Sequence, residues 1–482
     1  MASTSLKYTE IDEIPKIHAR LRATFESGKT QPLAYRRHQL LQLARLIQDN
    51  AEAMQDAIFR DYGKQKLEVV IGELSPAVSA AIHAANKLEE WTKPEKPVVE
   101  EWRASWDTTI YKQPKGVAVI ISPWNYPYII SLGPLVGAIA AGCPVILKPS
   151  EHTSAVSTLY AELFPKYLDS DAYAVVNGGI AETARLLDLK FGSIELPLTT
   201  DFAGSTHVGR IVAAAAAKQL TPVTLELGGK SPVFIDAENT DLELAAKRAL
   251  WGRQINAGQL CVSPDYILVP RKHQDAFVAA IKKAYDQFYP GGPLQSSSTL
   301  TGVHPSARDR LKGLIASTQG EIVAGGKESD GKLEPTVVKN VSVNDALMQT
   351  EIFGPIMPIL PVDDVDEAIK IIKSYANPLV IHVFTESEAT KDKFLSQTRS
   401  GTLVLNDSFM QLGVYEMPFG GIGDSGYGSY LGKFSFDTFT HSRSYINVPL
   451  AAEPFLGYRY PPYTEEGYKF FSAGTFQKIP DN

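Results

Sequence analysis

The stretch GVAVIISPWNYPYIISLGPLVGAIAAGCPVILKPS, residues 116–150, decides the fold. It opens on a β-branched run, GVAVIIS (116–122), and closes on a second, PVILKPS (144–150). Both runs are short and bounded by Pro, Gly or Ser, with helix-like sequence between them. A helical stretch at 153–168 and a third run, YAVVNGG (173–179), continue the pattern. Strands alternating with helices at this spacing predict a parallel sheet covered on both faces.

Working outward, the same texture returns after residue 221. LELGG, PVFID, YILVP (266–270), IMPILPV (356–362), LVIHVFT (379–385) and GTLVLN (401–406) read as strands, with helices over 241–256 and 274–288. Two α/β blocks are therefore expected, meeting near 221–232. Upstream, Leu40, Leu43, Ile47, Met54 and Ile58 form an apolar helical stripe within 33–60, and a second helix covers 70–91. TKPEKPVVEEW (92–102) reads as a connection or an extended arm, and the Tyr-, Pro- and Gly-rich tail from 448 as a surface lid or arm.

The chain has 482 residues, 44% hydrophobic and 21% charged, the balance of a globular protein of two or three domains. With 47 Lys and Arg against 54 Asp and Glu its net charge is −7, which argues against a nucleic-acid surface. The two cysteines, Cys143 and Cys261, are too few for a disulfide framework or a zinc cage, and no His pair has HExxH spacing, so no metal site is expected. The N-terminus, MASTSLKYTEIDEIPK, lacks an apolar core, and the longest nearly apolar run, Val136 to Leu147, is shorter than the roughly 20 residues a bilayer span needs. The expectation is a cytoplasmic chain without a transmembrane span, peripheral membrane association being left open.

Some motif matches fail on context. GIGDSG (421–426) satisfies G-x-G-x-x-G but follows no strand and opens no clear helix. GGKS (228–231) ends like a P-loop, yet Thr224 stands where the first glycine must be. Ser425 has Gly423 two residues before it but Tyr427 two after it, so it is no hydrolase elbow.

Three other segments invite a chemical reading. NAGQLC (256–261) sets Cys261 after a glycine and a helix, although a lone cysteine is more often a small core residue. LELGGK (225–230) puts Glu226 beside two glycines, where backbone can approach a ligand closely; alone, it would be a surface or paired carboxylate. SPWNYP (122–127) ends a buried strand on Asn125, which in isolation would be a turn residue.

Together they carry a resemblance. PWNYP, GCPVILKPSEHT, GSTHVG, TLELGGKSP, NAGQLC, EIFGPIMP, PFGGIGDSG and SYLGKFSFDTFTH occur in the order found in the aldehyde dehydrogenase superfamily, over nearly the whole chain. The short N-terminus and the SY-x-GK-x-SFDTF ending look most like the class 3 and fatty aldehyde branch, whose neighbourhood includes the β-apo-4′-carotenal oxygenases. The resemblance implies an α/β fold with a Rossmann-type parallel-sheet cofactor domain (1–99 and 115–225) and an α/β catalytic domain (226–415). It adds a β oligomerisation arm with a segment near the active site (100–114 and 416–447) and a C-terminal tail (448–482).

It also implies roles. Cys261 would be the nucleophile that adds to an aldehyde carbonyl. The Asn125 side chain and the Cys261 backbone N–H would hold the oxyanion, and Glu226 would be the general base. Lys148 and Glu151 would hold the adenosine ribose, and Gly204, Ser205 and Gly209 would start a helix that receives the pyrophosphate. Glu351 and Phe353 would place the nicotinamide and its ribose, with Trp124 also at the cofactor site. NAD is the expected cofactor and NADP a possible one, because Glu151 opposes a 2′-phosphate that Lys148 attracts. The substrate would be a small-molecule aldehyde, the assembly a homodimer, and Cys143 a core residue.

The chain departs from the pattern over Phe191 to Ser205 (FGSIELPLTTDFAGS), about six residues longer than the family leads one to expect, with Ala203 in place of Thr. Pro197 falls where an inner strand should run, so either the extra residues bulge out or the strand is rebuilt from Leu198 to Phe202. A damaged cofactor site here would leave a non-catalytic binding protein; a second alternative is a cofactor-independent ester or thioester hydrolase using Cys261 and Glu226. Leu260 before the cysteine, with Trp124, Tyr126, Tyr128 and Phe409, points either to an apolar aldehyde pocket or to core packing.

Overall fold

A computed structural model describes residues 6–197, 205–295 and 300–481. The chain divides into two compact units, one of residues 1–91 and 114–440, the other of 92–113 and 441–482.

The strands, in chain order, are β1 (Asp107–Pro114), β2 (Ala118–Ile121), β3 (Val145–Lys148), β4 (Tyr173–Val175), β5 (Ser193–Pro197), β6 (Val223–Glu226), β7 (Pro232–Ile235) and β8 (Tyr266–Pro270). They continue with β9 (Glu321–Ala324), β10 (Glu328–Ser329), β11 (Lys332–Leu333), β12 (Thr336–Lys339), β13 (Ile356–Val362), β14 (Val380–Phe384), β15 (Thr402–Leu405), β16 (Gly426–Tyr427) and β17 (Thr440–Asn447). The first unit holds a six-stranded sheet ordered β16-β6-β5-β2-β3-β4 and a seven-stranded sheet ordered β15-β14-β7-β8-β13-β12-β9. The ladders are parallel except where β16 pairs β6 and β9 pairs β12. Strand succession leaves β2 towards β3 and β4, then resumes on its other side at β5. The switch point therefore lies between β2 and β5, where ligands of such sheets bind at the carboxyl ends.

The segment 416–447 is divided between structures. Gly426–Tyr427 becomes an edge strand of the first sheet, paired with Glu226 and Leu225, while Thr440–Asn447 pairs β1 in a two-stranded ribbon. Within the second unit, Tyr111 and Tyr445 meet edge to face and Lys112 Nζ donates to Ser442 Oγ at 3.0 Å.

Helix Ile129–Ala141 is buried along almost its whole length beneath the first sheet, as its apolar sequence demands. It ends where Gly142 turns left-handed at φ 89°, and Arg36 donates to the buried Ala140 carbonyl in the last turn at 3.1 Å. Cys143 lies fully buried just beyond, in the core position expected of it. The segment Lys66–Thr92 is the one described helix long and apolar enough to cross a membrane. Its Ala77, Ala81, Ala84, Leu88 and Trp91 are packed into the core instead.

The inner strand of the unusual stretch runs from Ser193 to Pro197, and Pro197 is its last residue. β2 pairs only Ser193, Ile194 and Glu195, so the ladder ends before a proline N–H would be missed. The rebuilt-strand alternative, Leu198 to Phe202, lies outside the described residues. The stretch does place a carboxylate in the core. Glu195 is 1% exposed and neither oxygen has a well-formed hydrogen bond. Burial pushes its pKa up to about 8, relieved in part by Thr224, its partner in register on β6, and raised further by Glu226.

In the unfolded chain Glu195 ionises near the ordinary carboxylate value, whereas in the fold it keeps its proton to about pH 8. The native state therefore binds more protons between those limits, and stability falls as pH rises through that window. Glu195→Met should raise stability by about 1–3 kcal/mol, with the gain growing from pH 5 to pH 8. Denaturant melts at both pH values check this; equal gains at the two would refute it.

Candidate active site

Lys148 and Glu226 are the last residues of β3 and β6, and Asn125 follows the end of β2, so parallel strands put all three at one edge of the sheet. Cys261 reaches that edge on a turn after helix Leu242–Gln254. Asn256, Ala257 and Gly258 are successively left-handed, at φ 53°, 53° and 68°. Gly258 is required by space as well as conformation, because a Cβ there would stand 2.3 Å from the Gly354 carbonyl.

Hydrogen bonds hold this strained turn. The Asn256 backbone N–H donates to Glu68 Oε2 at 2.9 Å, and its side-chain amide donates to the carbonyls of Asn125 and Gln259, both at 3.0 Å. Gln259 donates to the Asn256 and Gly302 carbonyls at 2.9 and 3.1 Å and accepts from His304 N–H at 2.7 Å. The Asn125 side chain donates to the Gln259 carbonyl at 3.1 Å. Its backbone carbonyl accepts from Tyr62 at 2.7 Å and from Lys64, buried and paired with Glu73 at 2.6 Å, at 3.2 Å. Glu68, Asn256, Gln259, Lys64 and Glu73 carry no motif that marks them; Asn256 and Gln259 at least flank the cysteine in NAGQLC.

Cys261 and Glu226 line one cavity of about 1160 Å³ of empty space, its open mouth included. Tyr126, Leu260, Phe409, Phe419 and Tyr430 line it too, whereas Trp124 and Tyr128 are core residues. Trp124 packs on His304 and Phe353, at 4.4 and 5.9 Å between ring centres. Glu226 Oε2 accepts from the Tyr430 hydroxyl at 2.7 Å, and Oε1 is buried without a partner. Burial pushes Glu226 up to about 7 against the lowering effect of that hydroxyl. The Cys261 thiol is raised well above its ordinary value by burial first and then by the Glu226 and Glu351 carboxylates, with its own and Val262's N–H opposing. A protonated thiol beside a carboxylate that titrates near neutrality can pass its proton on as it attacks. Tyr430 lies in the SYLGKFSFDTFTH motif, but the motif alone gives no role for it.

The residues expected on the cofactor side lie as follows. Lys148 Nζ meets Glu151 Oε2 at 2.6 Å. Burial favours neutral Glu151, but the charge and hydrogen bond of Lys148 win and hold it below the usual carboxylate range. Helix Ser205–Lys218 begins just past β5, with Gly209 so close to Leu227 that a Cβ would meet its Cδ2 at 2.9 Å. Gly204 lies outside the described residues, as do most of the extra residues before it. Glu351 accepts from Gly229 N–H at 3.1 Å and fills the space over Gly228, where a Cβ would stand 2.0 Å from its oxygen. Burial and then Asp265 push Glu351 up to about 8. Phe353 is left-handed at φ 45°. The Lys148–Glu151 pair, the helix that starts at Ser205 and the glutamate over Gly228 and Gly229 are each of a chemistry suited to the riboses and pyrophosphate of a dinucleotide.

A parallel sheet whose edge brings a buried cysteine and a buried carboxylate to one cavity is the arrangement of an aldehyde dehydrogenase. Residues 4–445 match the model of the aldehyde dehydrogenase family, and the chain belongs to that family. It is 42% identical to aldehyde dehydrogenase family 3 member B1 of Bos taurus over 448 residues, 92% of this chain and 94% of the relative. It is 39% identical to the dimeric NADP-preferring aldehyde dehydrogenase of Canis lupus familiaris, over 94% of this chain and 98% of that one. Among solved structures it superposes on the substrate-bound state of Staphylococcus aureus AldH with TM-score 0.90 at 36% identity, covering 96% of this chain and 99% of the other. The Mycobacterium tuberculosis aldehyde dehydrogenase complexed with NAD+ gives 0.80 at 26%, covering 92% of each. The protein is an NAD(P)-dependent aldehyde dehydrogenase with relatives in family 3.

Lys148 is already ion-paired with Glu151, so a 2′-phosphate held there, as the resemblance implies, would meet the carboxylate as well. Glu151→Gln should therefore shift the ratio of kcat/KM for NADP over NAD upward by about tenfold, ~1.4 kcal/mol. Steady-state kinetics and thermal shifts with each cofactor test this; an unchanged ratio in both readouts would show that the carboxylate does not discriminate.

Proposed function

We propose that this enzyme oxidises apolar aldehydes, of medium or long chain, fatty or apocarotenoid, to their acids, and that Cys261, Glu226 and Asn125 are its catalytic residues. The observation that carries the substrate class is the cavity: apart from Glu226, Cys261 and a few polar groups it is walled by aliphatic and aromatic side chains.

Cys261 attacks the aldehyde carbon and its proton passes to Glu226, giving a thiohemiacetal whose oxygen is stabilised by the Cys261 N–H and the Asn125 amide. The bound nicotinamide supplies a hydride acceptor for the carbon attached to sulfur. Glu226 gives the thiol's proton up to solvent; the resulting thioester is then hydrolysed by a water whose proton Glu226 accepts and returns to the departing sulfur, releasing the acid and the thiol. Tyr430 aims the carboxylate throughout. Lys148, Glu151, Ser205, Gly209, Glu351, Phe353 and Trp124 form the cofactor side. The β1–β17 ribbon, with Tyr111 and Tyr445 on it, offers a surface for a homodimer.

Cys261→Ala should abolish reduced-nicotinamide formation from decanal while keeping the thermal shift given by NAD; full activity in the variant would exclude the nucleophile. Since Glu226 must be ionised to accept a proton, activity should rise through about pH 7. Tyr430→Phe removes a hydrogen bond to the ionised form, so the rise should move to higher pH by roughly one unit. A rise left in place would mean that another group governs it.

A further inference from the structure

Four glycines line the cavity, and two of them, Gly72 and Gly133, lie in the interior of helical segments. Gly133 lies inside helix Ile129–Ala141, where glycine costs helix stability relative to alanine. Its φ is not left-handed, and a Cβ built on it meets nothing within 4 Å. The space it leaves open belongs to the cavity it lines. Gly72 sits in the opposite kind of place, the π-helical turn Val70–Leu74 inserted between two α-helical stretches. Such turns carry a local cost and are frequent at functional sites. A Cβ there would stand 2.9 Å from Tyr126 Cε1 and 3.9 Å from Phe409 Cζ. Those two rings pack in one cluster with Leu260 and Cys261. Gly72 thus lets the rings stand back against the helix near the nucleophile, and Gly133 leaves a second wall bare.

We propose that Gly72 and Gly133 set the bore of the cavity, so that the enzyme selects apolar aldehydes with a wide body, ring-bearing or methyl-branched, over slender n-alkyl ones. The inference rests on the apolar-aldehyde reading above and refines it. A straight alkyl chain needs no such width, and burying it in a broad channel leaves unfilled space along its sides, with the dispersion contacts of those walls lost. A wide body fills that space.

The test compares retinal, decanal and propanal in the full-length enzyme and in Gly133→Ala, Gly133→Leu and Gly72→Ala. Gly133→Ala should raise the melting temperature, since the position is helical and unobstructed; a fall would mean that the glycine is structural and would overturn its assignment. Wild type should show a higher kcat/KM for retinal than for decanal. Gly133→Leu should lower the retinal value at least tenfold, mainly through KM, with decanal within threefold and propanal unchanged. Gly72→Ala should move the same way if it folds, and the Gly133 pair carries the test if it does not. Retinal and decanal falling together, or retinal unaffected by leucine, would overturn the bore proposal while leaving the apolar reading intact. A wild-type enzyme that prefers propanal to both would refute the apolar reading itself and this one with it.

Discussion

The hydrogen bonds around the Asn256–Cys261 turn are the constraint on which the site depends. Left-handed backbone at Asn256 and Ala257 is unfavourable by roughly 1–3 kcal/mol per residue, and it persists because the surroundings leave no alternative. The Asn256 amide spans the carbonyls of Asn125 and Gln259, while Glu68 takes the Asn256 N–H. One set of contacts therefore fixes both the loop after β2 and the loop that carries the cysteine. Asn125 and Cys261 are positioned by the same amides, so a change in one loop propagates to the other. The buried Lys64–Glu73 pair extends the frame: Lys64 lies over the Tyr126 ring at 3.4 Å and donates to the Asn125 carbonyl, and Glu73 accepts the Tyr128 N–H at 2.7 Å. Its two charges satisfy one another and the backbone at once, the condition under which a buried ion pair is tolerated.

Within this frame the electrostatics are those of a dry site with an excess of acid. Cys261, Glu226 and Glu351 are all raised chiefly by burial. A thiol kept protonated at rest is protected from stray alkylation and oxidation, which act on the thiolate. A carboxylate near neutrality can take its proton when substrate arrives. The same low dielectric strengthens any donor aimed at the developing oxyanion. Lys148 differs because it is paired with a carboxylate, Glu151, that is held ionised.

Much of this was legible in the sequence. Residues 116–150 announce strand, helix and strand because β-branched runs closed by Pro and Ser have few other uses, and the structure has β2, helix Ile129–Ala141 and β3 there. Cys261 and Glu226 were readable because thiol and carboxylate chemistry beside glycines is locally encoded. Tyr430 was not, since a tyrosine acquires its role only by reaching a carboxylate more than 200 residues away in the chain. Glu68 and Glu73 look like surface acids of an amphipathic helix until tertiary contacts bury them. Of the aromatic residues taken together as pocket or core, Tyr126 and Phe409 line the cavity while Trp124 and Tyr128 do not. Composition cannot make that distinction, because it depends on which face of the 122–128 loop each ring occupies.

The unusual stretch before helix Ser205–Lys218 shows how little of an inner strand the sheet needs. β2 requires only three partners from β5, and β6 continues the pairing to Pro197, opposite Glu226. A proline at that last position does not interrupt the β2 ladder, which ends at Glu195. The sheet can therefore take extra chain at the carboxyl end of β5, although that end faces the switch point. The cost falls within the strand instead, at Glu195, where the pleat turns an acidic side chain inward beside the β6 ladder. Stability and chemistry are thereby coupled: the buried Glu195 carboxyl raises the pKa of its neighbour only when ionised, and burial keeps it neutral over the range in which Glu226 must exchange protons. A core acid that stays neutral weakens the fold but leaves Glu226 to be tuned by Tyr430 and by its own burial.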